Sequence, residues 1–109
     1  MITLKTLHLA TREEVKAQIE AHLLAQGERC VAGAICRYHL EGDGKTLKCA
    51  AGCLIGDDEY NVDFENHTWD RLVTIYGLPE SHRDLIRSYQ RIHDSCSPSQ
   101  WPYEFSWIK

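Results

Sequence analysis

A chain of 109 residues, 43% hydrophobic and 26% charged, has the composition of an ordinary globular domain and enough length to bury a core unaided by disulfides or metals. Its formal net charge of −4 argues against a protein held to nucleic acid by phosphate contacts, and no apolar run is long enough for a bilayer. The five cysteines, an odd number in a chain that opens without a secretory-signal layout, are read as reduced thiols of a cytoplasmic protein.

Residues 2–9 partly alternate apolar and polar side chains, which predicts a strand. Thr11-Arg-Glu-Glu14 matches a capping box, in which the Thr hydroxyl and the Glu carboxylate satisfy free amides at a helix start. The helix is expected to run to about Gln26, with Val15, Ile19 and Leu23 on one stripe and Gly27 as its stop. Residues 34–40 and 45–50 flank Glu41-Gly42-Asp43-Gly44, a loop that predicts a β-hairpin. Gly52 and Gly56 interrupt the second strand, and Asp57, Asp58 and Glu59 suit the positive end of a short helix. A polar loop follows over residues 61–67.

Thr68 is placed to cap a helix carrying Trp69, Leu72, Val73 and Tyr76 at helical spacing, closed by Gly77. A further helix opens near Ser81, its inner face formed by Leu85, Ile86, Tyr89, Ile92 and His93. On it, Arg83, Arg87 and Arg91 stand four apart and stack as one basic stripe. Such a stripe is either a solvated face, pairing with the acids of residues 49–70, or a surface for phosphates or acids. Beyond Asp94 comes a linker-like turn, then Trp101, Tyr103, Phe105 and Trp107, each two residues from the next. In an extended strand all four share a face, as the core side of a closing strand or as a patch for a partner. The expected fold is α+β: one domain over residues 1–109, with a small antiparallel sheet around the hairpin packed against about three helices.

Cys36 and His39, followed by Cys49 and Cys53, form two ligand pairs of the kind tetrahedral zinc needs. On a strand, however, Cys36 and His39 point to opposite faces, and the hairpin has turn residues enough to close without an ion. The simpler reading is small buried thiols. The acids after Cys53 would raise its pKa, and Cys-x3-Cys is not the spacing of thiol oxidoreductases. His93 is expected to be a hydrogen-bonded core histidine. With Asp94 as its neighbour it forms no triad, since adjacent helical side chains point apart. No EF-hand loop, phosphate-binding glycine loop, dinucleotide fingerprint or serine elbow is present.

At Cys-Ala-Ala-Gly-Cys-Leu-Ile-Gly-Asp, residues 49–57, with Tyr60 close behind, the chain resembles a group of small, largely uncharacterised bacteriophage and prophage proteins. These carry a Cys-Ala-x-Gly-Cys-Leu-Ile-Pro-Asp-like segment, then a helix ending in Leu-Gln-x-x-His-Asp, matched here by Leu85–Asp94, which reads Leu-Ile-Arg-Ser-Tyr-Gln-Arg-Ile-His-Asp. Gly56 replaces their usual Pro and Tyr89 their usual Leu; the aromatic tail lies outside the resemblance. What the resemblance implies is a phage-like cytoplasmic origin, with no activity attached.

The function expected is therefore non-enzymatic binding of a host or defence protein, without cofactor, nucleic acid or membrane. The working residues would be Trp101, Tyr103, Phe105 and Trp107, with Arg83, Arg87 and Arg91. Two alternatives stand beside it: a zinc-binding protein using Cys36, His39, Cys49 and Cys53, and a small enzyme centred on His93 and Asp94.

Overall fold

A computed structural model describes residues 1–109. The capping box forms as expected: Glu14 N–H donates to Thr11 Oγ1, and Thr11 N–H donates to the Glu14 carboxylate. It starts α1 (Arg12–Gln26), which buries Val15, Ile19 and Leu23 and ends on Gly27 at φ 71°. Two antiparallel hairpins follow in place of one sheet. The first pairs β1 (Val31–Ala32) with β2 (Ile35–Cys36), the second β3 (His39–Gly42) with β4 (Lys45–Lys48). Gly42 pairs with Lys45, so the connecting loop is Asp43-Gly44 alone, both at positive φ. That is the two-residue turn whose twist matches a hairpin.

Three more helices complete an α+β domain: α2 (Trp69–Tyr76), α3 (Arg83–Ser95) and α4 (Trp101–Phe105). Thr68 caps α2 by accepting Arg71 N–H, and Gly77 closes it at φ 70°. The third helix packs against α1, α2 and α4, and a single core of 23 residues joins them to the segment 49–55. No helix is long and apolar enough to cross a membrane.

Three expectations are corrected. Residues 2–9 form no strand, because side chains satisfy their backbone. Gln18 bonds both the N–H and the C=O of Ile2, and the Glu59 carboxylate accepts the amides of Leu4 and Lys5. The chain then turns into a 3-10 segment, Leu7–Leu9, that buries Leu7. Asp57, Asp58 and Glu59 start no helix; they close a turn in which Glu59 Oε1 accepts Gly56 N–H, while Asp57 and Asp58 pair with Lys48 and Lys5. The aromatic tail is helical, and only Trp101 and Phe105 enter the core.

Gly52 begins a 3-10 turn (Gly52–Leu54) that runs against the backbone of Tyr38. A Cβ built there would stand 2.0 Å from the Tyr38 carbonyl oxygen, too close for either backbone to keep its place. Gly52→Ala is expected to destabilise by at least the roughly 1–3 kcal/mol typical of overpacking. Gly42→Ala, which meets nothing within 4 Å, is the control. Thermal melts of the two variants decide the point; equal melting would show that the two backbones separate freely.

Candidate functional site

The proposed zinc ligands do not assemble. Cys53 is buried with its thiol directed at the Ala50 carbonyl, and fully enclosed Cys49 accepts Gly52 N–H on its sulfur. His39 stacks on Tyr60 at 4.8 Å, and its Nε2 faces Glu41. Burial pushes the Cys53 thiol up to about 12 and Cys49 well above its ordinary value, which keeps both protonated and inert. The direction expected for Cys53 is right, but its cause is desolvation, not the acids that follow.

The one cluster of metal-type side chains joins Cys36 to His93 and Asp94 instead, their ligand atoms within 4.8 Å of one another. Here the adjacency argument is corrected: His93 and Asp94 do meet, with Nδ1 2.8 Å from Asp94 Oδ1. On the other side of the ring, Cys30 N–H donates to His93 Nε2 at 3.0 Å. A backbone amide can only donate, so Nε2 carries the lone pair and Nδ1 the proton it gives to Asp94.

That fixes the chemistry of the cluster. A neutral imidazole has one lone pair, and Cys30 holds it, so none is left to ligate a metal or take a proton from Cys36. Desolvation, with Asp94 adding to it, raises the Cys36 thiol to about 11. The arrangement is a tie between the first hairpin and α3, with His93 fully buried as the core histidine its position suggests.

The arginine stripe divides. Asp70 accepts from Arg83 Nε at 2.5 Å and from Arg87 Nε and Nη2 at 3.1 and 3.0 Å. The two guanidiniums, Arg87 foremost, hold its carboxyl down to about 2. Arg83 also meets Glu80, and Arg87 meets Asp84. So these two arginines bind α3 to α2 through the last acid of the acidic segment. Arg91 makes no ion pair and is exposed.

The aromatic tail divides as well. Trp101 is fully buried, stacked on His93 at 5.9 Å and on Phe105 at 6.4 Å. Tyr103 and Trp107 remain outside, 65% and 66% exposed, and pack edge to face at 6.0 Å. Beside Trp107 lies a groove of about 650 Å³ whose rim carries Arg12, Arg91 and Lys109 against the single acid Glu104. The structure thus brings Tyr103, Trp107 and Arg91 to one surface and takes Trp101, Phe105, Arg83 and Arg87 out of it. Arg12 and Lys109 went unseen in the sequence; they are joined by a bond from Arg12 Nε to the Lys109 carbonyl that only the fold reveals.

Compared with known protein families, with curated proteins and with solved structures, the chain matches none.

Proposed function

We propose that this domain is a non-enzymatic binding protein of phage or prophage type, acting in the host cytoplasm on a host or defence protein. The observation that carries the reading is the exposed Tyr103–Trp107 pair beside a groove with a basic rim. Exposed Trp and Tyr side chains are enriched among the anchors of protein interfaces. The rim defines the partner's chemistry: a segment presenting an apolar side chain flanked by acids, drawn in by Arg12, Arg91 and Lys109. The occupied lone pair of His93 and the protonated buried thiols support binding over catalysis.

The test is capture of a partner from host lysate by the wild-type chain and by a Tyr103→Ala, Trp107→Ala double variant. Loss of two interface anchors of this kind is expected to weaken binding by about 2 kcal/mol or more, roughly thirtyfold. Both positions are exposed, so melting should stay unchanged. A wild-type chain that captures nothing, or a partner retained equally by the double variant, would remove the reading.

A further inference from the structure

A second cavity lies on another side of α3, between that helix, the start of α2 and the first hairpin. Its volume is about 450 Å³, within the range of pockets that hold small molecules. Its lining combines the apolar side chains of Ile35, Cys36, Tyr38, Cys49 and Trp69 with charged ones of both signs, Arg87 and Arg91, Asp70 and Asp94.

Two of the lining residues, Trp69 and Arg37, carry a buried nitrogen without a hydrogen-bond partner, and both nitrogens are donors. Trp69 is buried, yet its indole Nε1–H meets no acceptor. An indole nitrogen only donates, and a buried donor without a partner is uncommon in a folded protein. Arg91, which reaches this cavity as well as the groove by Trp107, is the one arginine of the stripe without an ion pair. Its planar fork suits two parallel bonds to a carboxylate. The third contribution is the first turn of α2, which lines the cavity through Thr68, Trp69 and Asp70. The amides of a first helical turn lack intrahelical acceptors, and the helix dipole there is positive.

Two carboxylates also face the cavity, and both are already engaged. Asp70 is held by Arg83 and Arg87. Asp94 receives His93 Nδ1–H and Gln90 Nε2–H, both at 2.8 Å, with the Cys36 thiol beside it. The remaining demand of the pocket is therefore for an acceptor and an apolar body.

We propose that this cavity is a binding site for a small organic acid, an apolar, preferably aromatic body carrying one carboxylate. The carboxylate meets the Arg91 guanidinium and the start of α2, and the body lies over the apolar side chains of the lining, beside Trp69. The site shares Arg91 with the groove beside Trp107, but it lies on another side of α3 and does not depend on a protein partner.

Three probes with one ring and different head groups test it: benzoate, benzyl alcohol and benzylamine. Each is titrated into isotope-labelled full-length chain while the Trp69 indole N–H resonance, assigned by sequential NMR, is followed. Benzoate is expected to move that resonance and to bind at least about tenfold more tightly than either of the others, because only it forms charge-assisted bonds to the donors. Arg91→Gln, at an exposed side chain with no ion pair to lose, is expected to weaken benzoate by about tenfold or more while the melting curve stays in place. A Trp69 resonance that benzoate leaves unmoved would overturn the site. Equal binding of the three probes, or preference for the amine, would overturn its assignment to carboxylates, as would an Arg91→Gln variant that binds benzoate like wild type.

Discussion

Glu65→Ala is expected to lower stability by about 3–5 kcal/mol, because two backbone amides and the Tyr60 hydroxyl lose the carboxylate that accepts them, at roughly 1–3 kcal/mol each. Glu65 is only 7% exposed, and its carboxylate gathers the entry to the second hairpin. Oε1 accepts Tyr38 N–H at 2.9 Å and lies 3.3 Å from Arg37 Nε; Oε2 accepts the Tyr60 hydroxyl at 2.6 Å and His39 N–H at 3.3 Å. Truncation leaves two backbone amides without acceptors and a half-buried guanidinium without its counter-charge, and each of these is unfavourable by itself. Glu65→Gln keeps one oxygen and the shape, so its loss should be smaller. Glu41→Ala, at a side chain 72% exposed, should stay within about 0.5 kcal/mol of wild type. Urea unfolding reads all three as shifts of midpoint at constant slope. A loss under about 1 kcal/mol for Glu65→Ala would mean that water replaces the carboxylate at every one of its partners.

Glu65 also shows where a sequence stops being informative. It lies in a stretch that reads as a polar loop, and nothing local marks it as buried; its partners come from residues 37–39 and from Tyr60. By contrast, the starts and stops of α1 and α2 are written locally, in Thr11 and Glu14, in Thr68, and in Gly27 and Gly77. The Asp43-Gly44 turn is local too, since those residue types are the ones that accept positive φ. Residues 2–9 mislead because alternation marks a strand only if another strand receives it, and here Gln18 and Glu59 take the backbone bonds instead. The division of the arginine stripe was equally hidden. Arg83, Arg87 and Arg91 are alike in spacing, and it is the fold that sets Arg83 and Arg87, but not Arg91, against Asp70 of α2. The acid-binding cavity has no sequence signature at all, because its parts come from three elements that meet only when the chain folds.

The tail misleads for a different reason, and Trp101→Ala tests the resolution. A spacing of two contains a spacing of four, so Trp101, Tyr103, Phe105 and Trp107 fit one face of a strand or two faces of a helix. Pro102 is the signal that decides: it has no N–H to give a strand partner, whereas the first turn of a helix needs none from it. With α4 formed, Trp101 and Phe105 face α3 while Tyr103 and Trp107 face solvent. Trp101→Ala is accordingly expected to be as damaging as Glu65→Ala, at about 3–5 kcal/mol for truncating an enclosed indole. The cavity it leaves opens beside His93, whose ring holds both Cys30 N–H and Asp94, so the tie between the first hairpin and α3 should loosen in the same variant. Trp101→Phe should be milder, because Trp101 Nε1 has no hydrogen-bond partner to lose and most of the ring contact survives. Trp107→Ala should unfold with wild type, within about 0.5 kcal/mol. Near-ultraviolet circular dichroism during urea unfolding separates these cases. If Trp101→Ala proved as harmless as Trp107→Ala, α4 would not be docked on α3 in solution, and the exposed aromatic pair would lose the support that its proposed role as a binding surface requires. If the difference holds, substitutions at Trp101 or Phe105 act on the proposed partner binding by way of the fold, and the aromatic part of that proposal is tested at Tyr103 and Trp107.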